Sequence, residues 1–272
     1  MAKRAGGIVA AIGSPGVSGS EISCSSAIGM VGIVSRPGVV RMLRSKLKVV
    51  IELVLPERCL VCGRFGASIH PECLDELPRA DGVRCVRCWA PSSVSELGAL
   101  CDRCAEHDQP EGLDALRTSF RFAGIARRSI IEAKFRGVTT LFEPLSSALV
   151  NEVQWSWQPD VVVPIPLAAA RRRRRGFNQS ERIAERLAEA HGLPLRLDLL
   201  ERARETDAQA TLDAEQRQQN IRGAFVARDV AGLRVLLIDD VTTTGATLNE
   251  AARVLRAAGA MRVFGLAIAR ED

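Results

Sequence analysis

The sequence predicts an α/β fold: a mostly parallel sheet flanked by helices, with a cysteine-rich module ahead of it. Three observations carry this. Short apolar runs with β-branched residues, Val161–Val163 and Val235–Ile238, fit buried strands of a parallel sheet, and Val263–Ala269 supplies a last strand. Segments with helical spacing alternate with them, among them Ile125–Phe135 and Ser180–His191. Upstream, eight metal-ligating residues fall in four pairs, each with two residues between its members.

The chain has 272 residues, 47% hydrophobic and 25% charged, enough for one good core and a second module. Its net charge is +5, yet Arg171–Arg175 alone supply five positives. Without them 37 − 5 = 32 basic residues meet 32 acidic ones, so the basic character is local. There is no Tyr and aromatics are 4%, which weakens any picture of a broad stacking platform for single-stranded nucleic acid. No apolar stretch reaches the roughly 18 residues of a membrane span. The first residues are too Gly-broken for a convincing signal peptide, so the expected location is the cytoplasm.

Residues 1–41, rich in Gly, Ser and Ala and containing the isolated Cys24, are expected to be a disordered tail. Met42, an alternative start, opens a more domain-like sequence. From Leu43 the positions Leu47, Ile51, Val54 and Leu55 follow helical spacing up to Pro56, so residues 42–112 read as a leading helix and the cysteine module. In that module stand Cys59 and Cys62, His70 and Cys73, Cys85 and Cys88, and Cys101 and Cys104. This spacing lets the two ligands of a tight turn reach one tetrahedral metal, and eight ligands suffice for two closed zinc sites. Disulfides are the competing reading and do not suit a cytoplasmic chain, and the thioredoxin-like context of a redox pair is missing. Cys85, Cys88, Cys101 and Cys104 make a well-proportioned ribbon. The first set depends on His70, which alone would read as a solvent-facing histidine. Closed four-ligand sites imply a structural role, and so small an apolar complement predicts a module that needs its metal to fold.

A second domain is expected over 113–272. Ser119–Phe122 reads as a short strand, Ile125–Phe135 and Thr140–Val153 as helices, and Gln154–Pro159 as a loop whose Trp155 and Trp157 serve packing or surface. Lys134 stands before a glycine break, either as a solvated helix end or as a cation reaching an anion. Val161–Val163 leads through Pro164 and Pro166 into a loop, the five arginines, and the helix Ser180–His191. An arginine run alone reads as a solvated or nucleic-acid-facing surface. After a strand of the same sheet it also suits a pyrophosphate, whose oxygens guanidinium groups bind bidentately. Residues 201–222 are polar, with a helix near Asp213–Gln219, and read as a connector or as a flap over a site.

The chemistry is expected at Val235–Leu248. There a buried strand ends in Asp239 and Asp240, a threonine-rich turn with one glycine follows, and Thr247 is placed to cap a helix that stops at Gly259. Ligands of open α/β sheets bind beyond the carboxyl ends of strands, and a helix N-terminus attracts an anion. Asp-Asp alone would be an ordinary polar strand end.

In its order of strand, acid pair, hydroxyl turn, glycine and helix, VLLIDDVTTTGAT resembles the 5-phosphoribosyl pyrophosphate (PRPP) signature of type I phosphoribosyltransferases. The resemblance implies that Asp239 and Asp240 hold the ribose hydroxyls. It also implies that the turn of Thr243, Thr244, Gly245, Ala246 and Thr247 wraps the 5-phosphate. With RGFNQ, KFRG, Thr206, Gln209, Arg217 and Asn220, the chain from about Leu43 onward is similar to the ComF/GntX family, including a double zinc-ribbon module. That resemblance implies a type I phosphoribosyltransferase fold, PRPP with Mg²⁺, and a role linked to DNA uptake or use of external DNA. Arg175 and Lys134 join the expected ligand contacts. Two features depart from the pattern: the arginines are unbroken, so only Arg175 transfers, and His70 stands where cysteine is common. Purine-salvage relatives carry an aspartate at the position of Thr243, which disfavours hypoxanthine or guanine as acceptor. The rival expectation is a non-catalytic factor that places ribbons and arginines on single-stranded DNA, alongside DNA-uptake proteins, and keeps the PRPP pocket as a regulatory or vestigial site.

Overall fold

The computed structural model describes residues 56–92, 99–106, 112–204 and 214–272. The expected tail, the leading helix, Cys24, Thr206 and Gln209 lie outside the described residues.

Four parallel strands form the central sheet in the order β1-β6-β5-β2, with β1 Ala115–Arg121, β2 Val161–Pro164, β5 Arg234–Thr242 and β6 Arg262–Arg270. The sheet is covered on both sides, which is why its strands read as apolar runs. Leu236 and Ile238 of β5 pack with the helices α3 (Gly124–Phe135), α4 (Phe142–Val150) and α6 (Gln179–His191). Val235 and Leu237, one residue out of phase, pack on the other face against α8 (Ala246–Ala257). All four side chains are fully buried, and truncating Leu237 to Ala is a cavity change costing about 2–5 kcal/mol.

The strands differ in length, and this opens the site. Pairing of β5 with β2 ends at Ile238 beside Pro164, whereas pairing with β6 runs on to Thr242 beside Arg270. Proline donates no ladder hydrogen bond, and the chain after it turns away from the sheet. From Asp239 onward the β2 flank of β5 therefore carries no strand among the described residues.

Two segments take on structure here. The arginine run, for which the sequence predicted no element, is the short helix α5, Ala169–Arg175, because alanine and arginine are both good helix formers, and it stops at Gly176 with φ 81°. Cationic side chains fill its last turn, the end that the helix dipole makes negative, and Arg172 pairs with Glu181 of α6. The polar stretch 201–222 runs between the strands of an antiparallel pair, β3 Leu200–Arg202 and β4 Phe225–Ala227, anchored by buried Leu199, Leu200 and Phe225, and the helix expected within it is α7, Ala214–Ile221, which precedes β4. Trp157 stacks on Phe264 with ring centroids 4.8 Å apart, while Trp155 is 98% exposed.

The cysteine module is docked onto the sheet. Around its first ligand set lies the short helix α1 (Pro71–Leu74), and Cys59, Ile69, Cys73 and Leu77 share the core formed by α3, α4 and α6. The second set, with α2 (Asp102–Ala105), is keyed to the strand ends by polar contacts. Arg84 forks onto Asp272, Arg270 donates to the Cys88 carbonyl at 2.9 Å, and the Trp89 indole donates to the Thr118 carbonyl. Arg117 lies over the Trp89 ring at 4.2 Å.

Candidate functional site

Asp239 and Asp240 leave the sheet's end with different partners. Asp240 is buried and its Oδ2 lies 2.9 Å from Lys134 Nζ, delivered by the last turn of α3. Lys134 is thus a cation reaching into the site rather than a solvated helix end. Asp239 Oδ1 accepts from Ser180 Oγ at 3.1 Å and from the Asp240 backbone N–H at 2.9 Å. Burial and the neighbouring Asp240 charge push the Asp239 carboxyl up to about 7, against those hydrogen bonds and the pull of Lys134. Two carboxylates forced together at a strand end cost stability, and such a pair can accept hydrogen bonds from hydroxyls or attract cations.

Ser180 was not legible as a site residue. It occupies the first turn of α6, whose cap Asn178 accepts from the Ser180 N–H and donates from Nδ2 to the Ile165 carbonyl. That cap ties the start of α6 to the chain leaving β2 and so aims Ser180 at Asp239.

Arg175 ends α5 close enough to Asp240 for the carboxylate's charge to favour its ionised form, while burial pulls its pKa down. Its guanidinium lies 5.3 Å from the centroid of the Phe135 ring, and its Nη1 is buried without a hydrogen-bond acceptor. A desolvated guanidinium nitrogen with no acceptor is a demand for an anion. Arg175 and Lys134 thus both converge on Asp240, though they arrive from different helices.

Thr243, Thr244, Gly245, Ala246 and Thr247 form the turn after β5 and the start of α8. Thr247 is not the helix cap: Gly245 holds that position at φ 80°, and Thr244 Oγ1 accepts from the Ala246 N–H. A β-carbon at Gly245 would stand 3.2 Å from Asn249 Nδ2 in a backbone conformation that L-residues avoid, so glycine is required. Thr243, Thr244 and Thr247 stay partly exposed, and the turn presents hydroxyls and the first N–H groups of a twelve-residue helix, the equipment of a phosphate site.

Two four-ligand clusters stand apart from the acid pair. Cys59, Cys62, His70 and Cys73 have their ligand atoms within 4.8 Å of one another, as do Cys85, Cys88, Cys101 and Cys104. Cys88 Sγ and Cys101 Sγ are 3.7 Å apart, close to the ~3.8 Å edge of a tetrahedron with 2.3 Å zinc–sulfur arms. His70 turns Nδ1 toward Cys62 Sγ at 3.5 Å while its Nε2 meets the Phe65 carbonyl at 3.1 Å, the outer hydrogen bond that orients a ligating imidazole. Arg64 donates to Cys62 Sγ at 3.3 Å and holds its thiol down at about 6. Burial raises the Cys85 thiol, but the N–H groups of Cys88, Cys101 and Arg87 outweigh it and bring it to about 6. Both clusters are compatible with zinc.

A cavity of about 700 Å³ lies between the second cluster and the turn, with Thr243 and Thr244 on one wall and Arg103 and Glu271 on others. Nothing in the sequence signalled that the ribbon would meet the turn. Among the described residues no helix is long and apolar enough to cross a membrane.

Comparison with known proteins agrees with this fold. The phosphoribosyl transferase domain family matches residues 138–269, the span that holds β2, β5, the turn and most of β6. DNA utilization protein YhgH of Escherichia coli (strain K12) is 31% identical over 224 residues, covering 78% of this chain and 96% of the relative. Competence protein ComFC of Bacillus subtilis (strain 168) is 30% identical over 67% of this chain and 75% of its own length. Competence protein F of Haemophilus influenzae is 37% identical over 40% of this chain and 50% of its own length. With a type I phosphoribosyltransferase domain behind two cysteine clusters, and relatives of this extent, the chain belongs to the ComF/GntX family of competence and DNA-utilization proteins.

Proposed function

We propose that this protein binds PRPP, or a closely related phosphoribosyl compound, and acts as a phosphoribosyltransferase in the use of external DNA. The observation that supports this most is the convergence of Lys134, Arg175 and the Asp239–Asp240 pair at the end of β5, next to the turn that opens α8. In this reading the acid pair accepts hydrogen bonds from the ribose hydroxyls and the turn from Thr243 to Thr247 takes the 5-phosphate. Arg175 and Lys134 meet the pyrophosphate, whose departure from the anomeric carbon they ease by stabilising its charge. Mg²⁺, brought with PRPP, supplies further charge neutralisation, and Asp239 and Asp240 are the hard oxygen donors that suit it here.

Zinc in both clusters is part of the proposal, with a structural role and the reduced thiols of a cytoplasmic protein. So is the division into a module over 42–112 and a transferase domain over 113–272.

A second reading is favoured by one surface. Phe135 is 66% exposed beside Arg175, and Arg172, Arg173 and Arg174 of α5 are exposed near it. An aromatic ring amid guanidinium groups suits bases and phosphates of single-stranded DNA, and relatives carry competence and DNA-utilization names. A DNA-binding factor with a regulatory phosphoribosyl pocket would use that surface.

Isothermal titration of zinc-loaded protein with Mg-PRPP tests the first reading. Binding is expected in the wild type and lost in the double variant Asp239→Asn, Asp240→Asn at unchanged zinc content. A wild type that gives no heat and no competition overturns it. The second reading predicts DNA affinity that falls steeply with salt and collapses when Arg171–Arg175 become Gln; unchanged affinity in that variant removes α5 as the contact.

A further inference from the structure

We propose that the first cysteine cluster is a peroxide-sensitive control point for the cations at the end of β5. With its metal it holds the turn that places Lys134 and Arg175, and oxidation at Cys62 lets that turn go. This rests on the reading of Lys134 and Arg175 as anion contacts. The two clusters differ in what covers them. Cys85, Cys88 and Cys104 are buried, Cys101 is half-buried, and Arg84, Arg270 and Trp89 key their ribbon to the strand ends. In the first set Cys59 and Cys73 are buried in the core beneath the sheet's helices, but Cys62 stands exposed on the loop between them. An accessible thiolate with partner sulfurs within 4.8 Å is the arrangement of a redox sensor.

A short path ties the loop of Cys62 to the two cations. Phe65 on that loop is exposed rather than packed, so the metal is the main clamp that closes it. Ser68 lies on the same loop, and its Oγ donates to the Thr140 carbonyl at 3.2 Å. Thr140 sits in the single 3₁₀ turn Thr139–Leu141, which joins α3 to α4. Upstream, the Val138 N–H donates to the Glu132 carbonyl at 3.4 Å and closes the last turn of α3, from which Lys134 reaches Asp240. Downstream, Phe142 packs edge-on against Phe177 with ring centroids 6.1 Å apart, two residues beyond Arg175. One turn thus borders both cations. A cavity of about 240 Å³ lined by Leu60, Ser68, Glu132 and Thr140 lies at this junction, so the turn has room to shift once the loop releases it.

The oxidant is a peroxide. The Cys62 thiolate attacks one peroxide oxygen as the O–O bond breaks, giving a sulfenic acid and a hydroxide that takes up a proton to become water. The Cys59 or Cys73 thiolate then attacks the Cys62 sulfur. The S–S bond forms, the S–O bond breaks, and a second hydroxide leaves and is protonated to water. Two electrons pass from two sulfurs to the peroxide, and two ligands of the four are left to hold zinc, too few for a closed site.

The test uses the full zinc-loaded chain and an equimolar amount of hydrogen peroxide. After desalting, metal analysis should show the zinc of one cluster lost and that of the other kept. Peptide mass mapping should find Cys62 joined to Cys59 or Cys73, with the second set reduced. Hydrogen exchange at the amides of Arg136, Val138 and Leu141 should speed up about tenfold or more, while Leu236–Ile238 of β5 stay protected. Mg-PRPP affinity should fall by about tenfold and return once a thiol reductant and zinc are added. Zinc lost first from the second set, or from both together, overturns the assignment of the sensor. Zinc lost from the first set with exchange and affinity unchanged overturns the control of the turn. If the untreated protein binds no Mg-PRPP and oxidation still speeds exchange at those amides, the PRPP reading falls and the switch stands.

Discussion

Replacing Asp239 with Asn should stabilise the ligand-free protein, and the gain should grow with pH. The Asp239 carboxyl titrates near 7 in the folded chain, raised from its ordinary 3.8 by burial and by Asp240. An acid whose folded pKa is raised binds its proton more tightly when folded. Wild-type stability therefore declines as pH rises from about 4 to 7, and the full penalty is present above 7. The difference of about 3 units sets a ceiling of roughly 4 kcal/mol at 1.36 kcal/mol per unit. About 1.5 of those 4 kcal/mol are already present at pH 5, so roughly 2.5 separate pH 5 from pH 8. Part of the repulsion relaxes through solvent and through Asp240, and about 1 kcal/mol is the expected widening of the variant's advantage over that interval. An asparagine keeps the oxygen that accepts from Ser180 and from the Asp240 N–H, so the substitution removes charge without orphaning a donor. Urea denaturation of both proteins at pH 5 and pH 8, in zinc-buffered solution so that metal effects cancel, measures it. An advantage that is flat with pH, or a variant less stable than wild type at pH 8, would refute the reasoning.

Lys134→Met leaves Asp240 buried without its cation and should cost about 1–3 kcal/mol, read by denaturation, together with a large loss of PRPP affinity in titration. Gly245→Ala forces a β-carbon into the left-handed turn; a penalty of roughly 1–2 kcal/mol in stability and a weakened response to PRPP are expected. Metal analysis should give two zinc ions per chain. His70→Ala should lower that toward one while His70→Cys restores it, and a chelator should abolish the fold of the cysteine module, measured by near-UV circular dichroism.

The parts of the fold built from buried strands were legible because burial on both faces leaves an unmistakable apolar run. Val161–Val163 and Val235–Ile238 became β2 and the first half of β5 for this reason. The acid pair was legible as a local pattern, with turn and helix following in fixed order. What could not be read were contacts between distant segments. Ser180 meets Asp239 across 59 positions, and Arg270 meets Cys88 across 182. Neither serine nor arginine announces such a partner. The strands β3 and β4 were missed because Leu200–Arg202 and Phe225–Ala227 are three residues each, too short to establish a period of two against polar neighbours. The helix formed by the arginines was hidden by their charge, although alanine and arginine both favour it.

The strained chemistry at the end of β5 follows from strand length. Had β2 continued beside β5 past Ile238, Asp239 and Asp240 would lie inside a closed sheet, and neither Ser180 nor Lys134 could reach them. Pro164 ends the ladder and Ile165 makes the last backbone bond, to the Ile238 carbonyl, after which the chain turns into α5. One short strand thus does two things: it bares the carboxylates, and it sends Arg175 back to them on the helix that follows. On the opposite flank β6 runs as far as β5 does, and at its end the cysteine ribbon takes hold through Arg270 and Arg84. Shortening β6 would sever the ribbon from the turn after β5 while leaving the acid pair and Arg175 in place. The asymmetry of the two neighbours of β5 is therefore what separates a cationic flank from a walled cavity around the single turn that opens α8.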